Sequence, residues 1–513
     1  MPGLTHVRPR VPGRRAAART IARSTLGAAL AIAFAMGCQK SEPLIDPFEA
    51  LSGRVTTPDT TVLAGISFRV NTEVEYRSGP GAPNKVVWSV SDPSVLKLEA
   101  EFGRSVGVSG LKRGEAFVIA LMNDQFRDSA KVTVAARGDV KWRTPMQGTS
   151  LSSPAMDLDR NLYVAEVGGG LAVIEPDGSL FFRVDACTGQ LSPAVLETGD
   201  AYLTGDGCAE ERAPDGGLDW SVDFGSGDGG PAVAADGSAI VLHAAFDDAT
   251  SKGGVLLSRI AGDGNLTWQD TVVALTSAAD LESQHTAPAV SGKGDIYVAL
   301  TAFGSDSNWV ARVSGDGTVR WLEKLPGQAF RSSPALASNR ILVSHAAGVT
   351  AFDTLGAIVY DKPFATGGVA SSPIIDDVGS VYVQSAAALA SYGPDGAARW
   401  SADSLACAYC DATTGIGAPT LLADGALVVA CGAGAGGGGE VCEVDGADGS
   451  LVWRNDPGGR VFGAPAVDTD GTIYVTVLPP GGGTDLVALW GATPAMAGIW
   501  PTEGGGMGRL RRR

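Results

Sequence analysis

Six cysteines fall between residues 187 and 442 of this 513-residue chain: Cys187, Cys208, Cys407, Cys410, Cys431 and Cys442. Thiols so placed serve disulfides, a thiolate metal site or haem attachment. Haem is disfavoured, because Cys407 and Cys410 are followed by Asp411 where covalent attachment requires His. Cys407, Cys410, Cys431 and Cys442 would also suffice for a tetrahedral zinc site, which stands as the alternative to oxidation. His243, His285 and His345 are the other metal-capable groups, but all three would have to meet within about 2 Å of one ion. Asp157-Leu158-Asp159-Arg160-Asn161 and Asp468-Thr469-Asp470-Gly471 begin like calcium loops, lack the remainder, and read as turn chemistry. No Ser/His/Asp set, phosphate loop or paired-carboxylate motif is identifiable, so no catalytic residue, metal ligand or cofactor is assigned.

The front of the chain decides the redox setting. Residues 1–23 carry six arginines and no acid, and an apolar run follows from Leu26 to Met36. That run falls short of the roughly 20 apolar residues a spanning helix needs, so residues 1–37 read as an export signal. It ends in Ala35-Met36-Gly37-Cys38, which resembles a bacterial lipobox, although Ala35 and Met36 depart from the preferred pattern. The resemblance implies lipidation at Cys38 and a membrane-tethered N-terminus, and Gln39 after the Cys implies the outer membrane. Cleavage at Ala33-Phe34-Ala35, giving a secreted product, is the competing reading. In either case export favours disulfides.

Stepping outward, one phrase recurs eight times: a small residue, Pro, a small or aliphatic residue, a turn and a β-run, usually closed by an aromatic. The prolines are Pro154, Pro193, Pro231, Pro288, Pro334, Pro373, Pro419 and Pro465. A period near 40 with four short strands per unit is the pattern of propeller blades. The β-runs include Leu162-Tyr163-Val164, Ile296-Tyr297-Val298 and Ile473-Tyr474-Val475. Asp-Gly turns recur at 177–178, 215–216, 263–264, 316–317, 395–396 and 448–449, where hairpins need the positive φ that Gly supplies. The closing aromatics are Trp220, Trp268, Trp321, Trp400 and Trp453, with Phe181 and Tyr360 in weaker units. Trp142 belongs to a closing strand with no blade before it, so it is expected to pair into the last blade and remove the open edge. Trp500 is placed in a tail over that blade. The composition, 70 Gly and 28 Pro with 19% charged residues, suits a turn-dense all-β protein. A net charge of −17 argues against nucleic-acid binding.

The repeat region, 139–501, resembles the pyrroloquinoline-quinone-like (quinoprotein alcohol dehydrogenase-like) propellers. Before it, Trp88-Ser89-Val90-Ser91-Asp92-Pro93-Ser94-Val95 and Gly107-Val108-Ser109-Gly110-Leu111-Lys112-Arg113-Gly114-Glu115-Ala116 resemble the bacterial Ig-like group 2 family. The expected architecture is therefore all-β: an Ig-like β-sandwich of roughly seven strands over 47–136 and an eight-bladed β-propeller. A tether (38–46) precedes the sandwich, and a solvated, flexible basic tail (502–513) follows the propeller.

In such blades, loops entering a new blade and loops between second and third strands emerge on one face. That places all six cysteines on this face and predicts a Cys187–Cys208 pair. For the rest, local pairs (Cys407–Cys410, Cys431–Cys442) compete with cross-loop pairs. The length variation falls on the same face, at 244–254, 270–285, 301–308, 432–439 and 479–485, as binding surfaces of repeat folds often do. Enzymatic members carry an adjacent Cys-Cys pair beside the quinone, and this chain has none. The expectation is a non-enzymatic envelope lipoprotein whose stalk presents a propeller to a protein or glycan. A quinone- or metal-dependent oxidoreductase is the alternative.

Overall fold

The computed structural model describes residues 49–77, 85–189, 191–205, 207–224, 229–247, 249–250, 252–275, 286–302, 307–329, 332–364, 368–407, 410, 416–432, 438–497, 502–506 and 509. Residues 1–48, with the signal, Cys38 and most of the tether, lie outside these. Two compact units are distinguished, residues 1–51 with 75–82 and residues 52–74 with 83–513. Of the first unit only 49–51 and 75–77 are described, where Arg77 pairs with Glu49 at 2.6 Å. Among the described residues no helix is long and apolar enough to cross a membrane.

Eight strands lie between residues 50 and 135, in two four-stranded sheets. One contains Ser105–Gly110 and Leu96–Leu98; the other runs in the order Thr60–Leu63, Phe126–Ala135, Gly114–Met122, Val86–Val90. Val70, Leu96 and Val108 of the first sheet share one core with Trp88, Val118 and Val132 of the second. Alternation produces this: in Gly114–Met122 every second residue from Ala116 to Met122 is buried. The expectation of roughly seven strands misses one. Leu96–Leu98, three residues after the Asp92 turn, is too short to carry a period.

From residue 140 the chain forms a β-propeller of four-stranded antiparallel sheets. The first comprises Ala155–Met156, Leu162–Glu166, Gly170–Ile174 and Leu180–Asp185. Five more follow within 194–223, 231–275, 289–324, 335–363 and 374–402. The last sheet holds eight strands: Thr420–Leu421, Leu427–Cys431, Gly439–Val444 and Leu451–Val461, then Ala466–Val467, Ile473–Leu478, Asp485–Leu489 and Val140–Pro145. The two sets merge because Leu451–Val461 runs on to pair Val461 with Val477. Trp142 stands opposite Ala488, so the strand from the front of the region completes the final set.

Position within a blade explains the residue pattern. In the first blade the second and third strands are buried throughout, because neighbouring sheets cover both faces, and they read as near-continuous apolar runs. The fourth strand, as in Leu180–Asp185, lies at the rim and is largely exposed.

The Asp-Gly turn and the closing aromatic form one device. A Cβ on Gly449 would sit 2.6 Å from the Trp400 ring, and one on Gly178 would sit 2.7 Å from Trp142. Gly216, Gly264, Gly356 and Gly396 meet Phe182, Trp220, Trp321 and Tyr360 in the same way, while a Cβ on Gly317 would meet the Asp270 carboxylate first and Trp268 at 3.2 Å. Four of the indoles also donate to the next blade: Trp142 to Pro176 O, Trp268 to Gly315 O, Trp321 to Thr354 O and Trp400 to Gly446 O. In the first blade the packing aromatic is Phe182, where the sequence points to Phe181. Phe181 is half exposed, because strand alternation turns it to the rim.

At the last set no covalent turn joins the third and fourth strands, since the fourth comes from residue 140. Gly138 N–H donates to Trp490 O at 2.6 Å and Trp490 N–H to Asp139 O at 2.8 Å, so two distant segments imitate the turn. Gly138 takes the turn glycine's place: its φ is +84°, and a Cβ there would lie 2.7 Å from Trp453. The residue following it in sequence from the sandwich, Asp139, holds Arg113 of the sandwich at 3.1 Å.

Candidate functional site

The six cysteines are paired locally, Cys187 with Cys208, Cys407 with Cys410 and Cys431 with Cys442. Each lies at the end of the blades where second–third hairpins and blade-to-blade connections emerge, a consequence of antiparallel order in every sheet. Gly432 N–H donates to Ala406 O at 2.8 Å, tying the last two pairs together. Beside Cys187, the buried Glu210 accepts the Cys187 N–H at 2.9 Å and the Arg212 guanidinium at 2.9 Å. Glu166, also buried, accepts from Arg183 at 2.8 Å and from the Gln147 N–H at 3.0 Å. Glu210 and Glu166 are thus engaged in holding the connections of this end.

Two of the length variations there are built on extended strands, while 479–484 is a turn between strands. Ala239–Asp247 and Lys252–Ile260 are nine-residue strands, paired as far as Asp247 and Lys252. Ile296–Ala302 and Ser307–Val313 extend the following blade likewise. Residues 276–285 and 303–306, and 433–437 of the blade-seven insertion, lie outside the described residues.

The histidines do different work. His243 stacks on Phe224 at 4.2 Å, and its Nε2 lies 2.8 Å from Ser258 Oγ and 3.1 Å from Gln269 Nε2. Burial holds its pKa down to about 4. His345 Nδ1 accepts the Ala347 N–H at 3.2 Å, and Nε2 meets Thr350 Oγ1 at 2.9 Å. Both of its nitrogens are therefore engaged by the chain, and burial lowers its pKa despite Asp361. His285 lies outside the described residues.

The aspartate runs are turns, with their carboxylates committed. Asp157 accepts from Asn161 N–H at 2.8 Å and from Tyr163 OH at 3.2 Å. Asp468 is fully buried, accepts from Arg160 Nε at 2.5 Å and takes the Tyr474 OH at 3.2 Å. Among the described residues one acidic set does converge, Asp200, Glu211 and Asp219, with ligand atoms within 4.8 Å of one another. Sequence reading did not single it out. Glu211 there accepts the Trp220 indole N–H, and burial raises its carboxyl above the usual range. Nothing further at the cluster points to a cation.

The tail differs most from expectation. Thr502 and Arg509 are fully buried and Glu503 nearly so, although 502–513 reads as a solvated extension. The reason is chemical: the blade-opening serines leave polar atoms at the axis that a polar segment satisfies. Trp500 lies outside the described residues. The present residues do not fit a quinone of the enzymatic kind, since none of the three disulfides joins adjacent cysteines.

No curated protein sequence matches the chain. Among solved structures it is similar to BamB from Moraxella catarrhalis, at 13% identity, 69% of this chain, 100% of that one and a TM-score of 0.47. It is also similar to the quinohemoprotein alcohol dehydrogenase of Comamonas testosteroni, at 12% identity, 68% of this chain, 76% of that one and a TM-score of 0.48. A third is the quinohemoprotein alcohol dehydrogenase ADHIIG of Pseudomonas putida HK5, at 12% identity, 70% and 76% coverage and a TM-score of 0.49. The family described as outer membrane protein assembly factor BamB matches residues 82–305 and 385–489, more than half of the chain, beginning inside the sandwich region. By that match the chain belongs to the family of the outer membrane protein assembly factor BamB.

Proposed function

We propose that this protein is a non-enzymatic envelope lipoprotein, tethered through Cys38 and facing the periplasm or surface. In this reading an Ig-like sandwich carries an eight-bladed propeller that binds an envelope protein or glycan. The observation that carries it is the end of the propeller that bears all three cysteine pairs, the same end at which the strands of 239–260 and 296–313 are extended. Rigid, elaborated loops at one end of a repeat scaffold are what a binding surface needs, and pre-ordering lowers the entropic cost of association. Seven aromatic–glycine contacts join one sheet to the next and an eighth, Trp453 with Gly138, joins the two four-stranded sets of the last sheet, which supports the blade count. Membership of the family supports an envelope location.

The test is site-specific photo-crosslinking in the native envelope. A crosslinker at Thr250, in the extended hairpin, is expected to capture one discrete partner, and one at Leu355, in a turn at the opposite end, none. Equal capture from both positions, or capture from neither, overturns the reading. So does a quinone or metal retained through purification and required for turnover.

A further inference from the structure

Hydrogen bonds between residues before the blade-opening prolines link several neighbouring blades near the propeller axis. Ser153 N–H donates to Ser192 Oγ at 3.0 Å, Ala287 N–H to Ser333 Oγ at 3.0 Å and Ser333 N–H to Ser372 Oγ at 2.9 Å. Ala464 N–H reaches Ser153 Oγ at 2.7 Å, across the join between the last blade and the first. A serine that accepts in this way still has its own O–H to donate. Ser153 and Ser372 direct theirs to the two oxygens of a single carboxylate, Glu503, at 3.1 and 3.4 Å.

Six residues further on, the Arg509 guanidinium is fully buried. Its Nε donates to Pro154 O at 2.9 Å, Nη1 to Glu503 O at 2.9 Å and Nη2 to Ala464 O at 3.1 Å. An unpaired buried cation would cost several kcal/mol; Pro154 O and Ala464 O, from the first and last blade openings, form the propeller's share of a built site for a guanidinium, and Glu503 O is supplied by the segment itself. Beside it a cavity of about 570 Å³, lined by Met156, Arg160, Glu197, Asp468 and Met496, leaves room for more chain. Its Asp157 and Asp468 belong to first-to-second-strand turns, so it opens at the end opposite the disulfides. None of the described residues of the segment, Thr502 to Gly506 and Arg509, has an apolar side chain, so its hold is polar and specific.

We propose that this axial site is a receptor for a peptide presenting one carboxylate and one guanidinium, and that Glu503 and Arg509 of the chain's own tail occupy it as a tethered occupant in the resting protein. A partner peptide of that chemistry gains entry by displacing the tail. Tethering gives the tail an effective concentration in the millimolar range, so an untethered peptide competes only where the tail's grip is reduced. This site is separate from the disulfide-bearing end, and its failure would leave the reading of that end intact.

The test titrates a synthetic peptide of residues 501–513 calorimetrically into the full chain and into the Arg509→Ala full chain. Arg509→Ala is expected to bind the peptide at least about tenfold more tightly than the unaltered chain, about 1.4 kcal/mol. A peptide with the residue-509 arginine replaced by Ala, and a scrambled peptide of unchanged charge, are expected not to bind. Equal affinity for the two chains, or binding of the scrambled peptide as tightly as the authentic one, overturns the proposal. If Arg509→Ala does not fold, Arg509→Lys, which keeps the charge but not the planar fork, is titrated with the same two outcomes.

Discussion

His243 shows how a side chain that looks like a metal ligand becomes part of a core. Phe224 covers its ring and Ser258 and Gln269 meet Nε2, so water is excluded and the neutral imidazole is favoured. Its folded pKa of about 4 lies below the unfolded value of 6.5. On acidification the unfolded chain therefore takes the proton first. The stabilisation is complete above pH 6.5 and is lost as pH falls towards 4, a change of roughly 3 kcal/mol. His345 acts in the same direction. Denaturant unfolding at pH 7 and pH 4.5 is expected to show His243→Gln losing less stability across that interval than the unaltered chain. Equal losses would count against the burial account. At the same scale Glu443, buried, accepts Trp453 Nε1 at 2.6 Å and Arg137 at 3.0 Å. Nothing in the sequence separates Glu443 from exposed strand glutamates such as Glu115, and only its surroundings do.

Among elements, the turn glycine and the aromatic of the preceding blade are the repeating joint. Gly449 and Gly425 both have positive φ, +78° and +86°, but a Cβ at Gly425 meets nothing within 4 Å. Gly425→Ala is thus expected to cost only the left-handed backbone penalty, about 1–2 kcal/mol. Gly449→Ala adds a clash with Trp400 and is expected to cost a further 1–3 kcal/mol or so in urea unfolding. Equal costs would show that the aromatic does not press on the turn. The disulfides form a second series, with sequence separations of 21, 11 and 3. Loop entropy predicts that removing Cys187–Cys208 costs roughly 2 kcal/mol more than removing Cys407–Cys410, checked with paired Cys→Ser variants. Blade prolines, Asp-Gly turns and closing tryptophans were legible because each recurs at fixed offsets. Phe182 was not, since two adjacent phenylalanines leave the facing residue to be decided by strand register.

At the scale of the whole molecule, closure is the organising fact. Val140–Pro145 supplies the last sheet's missing strand, and Gly138 and Trp490 replace the turn that no single stretch of chain could make. The strand leading out of the sandwich region therefore takes part in closing the ring. Gly138→Ala is expected to lower the thermal midpoint and to increase amide exchange in both Val140–Pro145 and Asp485–Leu489. Unchanged exchange in the second segment would show that the segments are not coupled.

The sequence alone determined the all-β class, the blade period, the spare strand at Trp142 and the concentration of cysteines at one end. These follow from local chemistry: turn geometry, alternation and redox compartment act within a few residues. Tertiary structure decided how Cys407, Cys410, Cys431 and Cys442 pair, which phenylalanine faces its neighbour, that Gly138 completes a turn with Trp490 at the far end of the repeat region, and that Arg509 is buried at the axis rather than solvated. The physical reason differs with distance. Strand register and loop geometry settle the cysteine pairs, 21, 11 and 3 residues apart, and the facing phenylalanine, whereas Gly138 and Arg509 meet partners that only ring closure brings near, and no local pattern records a partner that far along the chain.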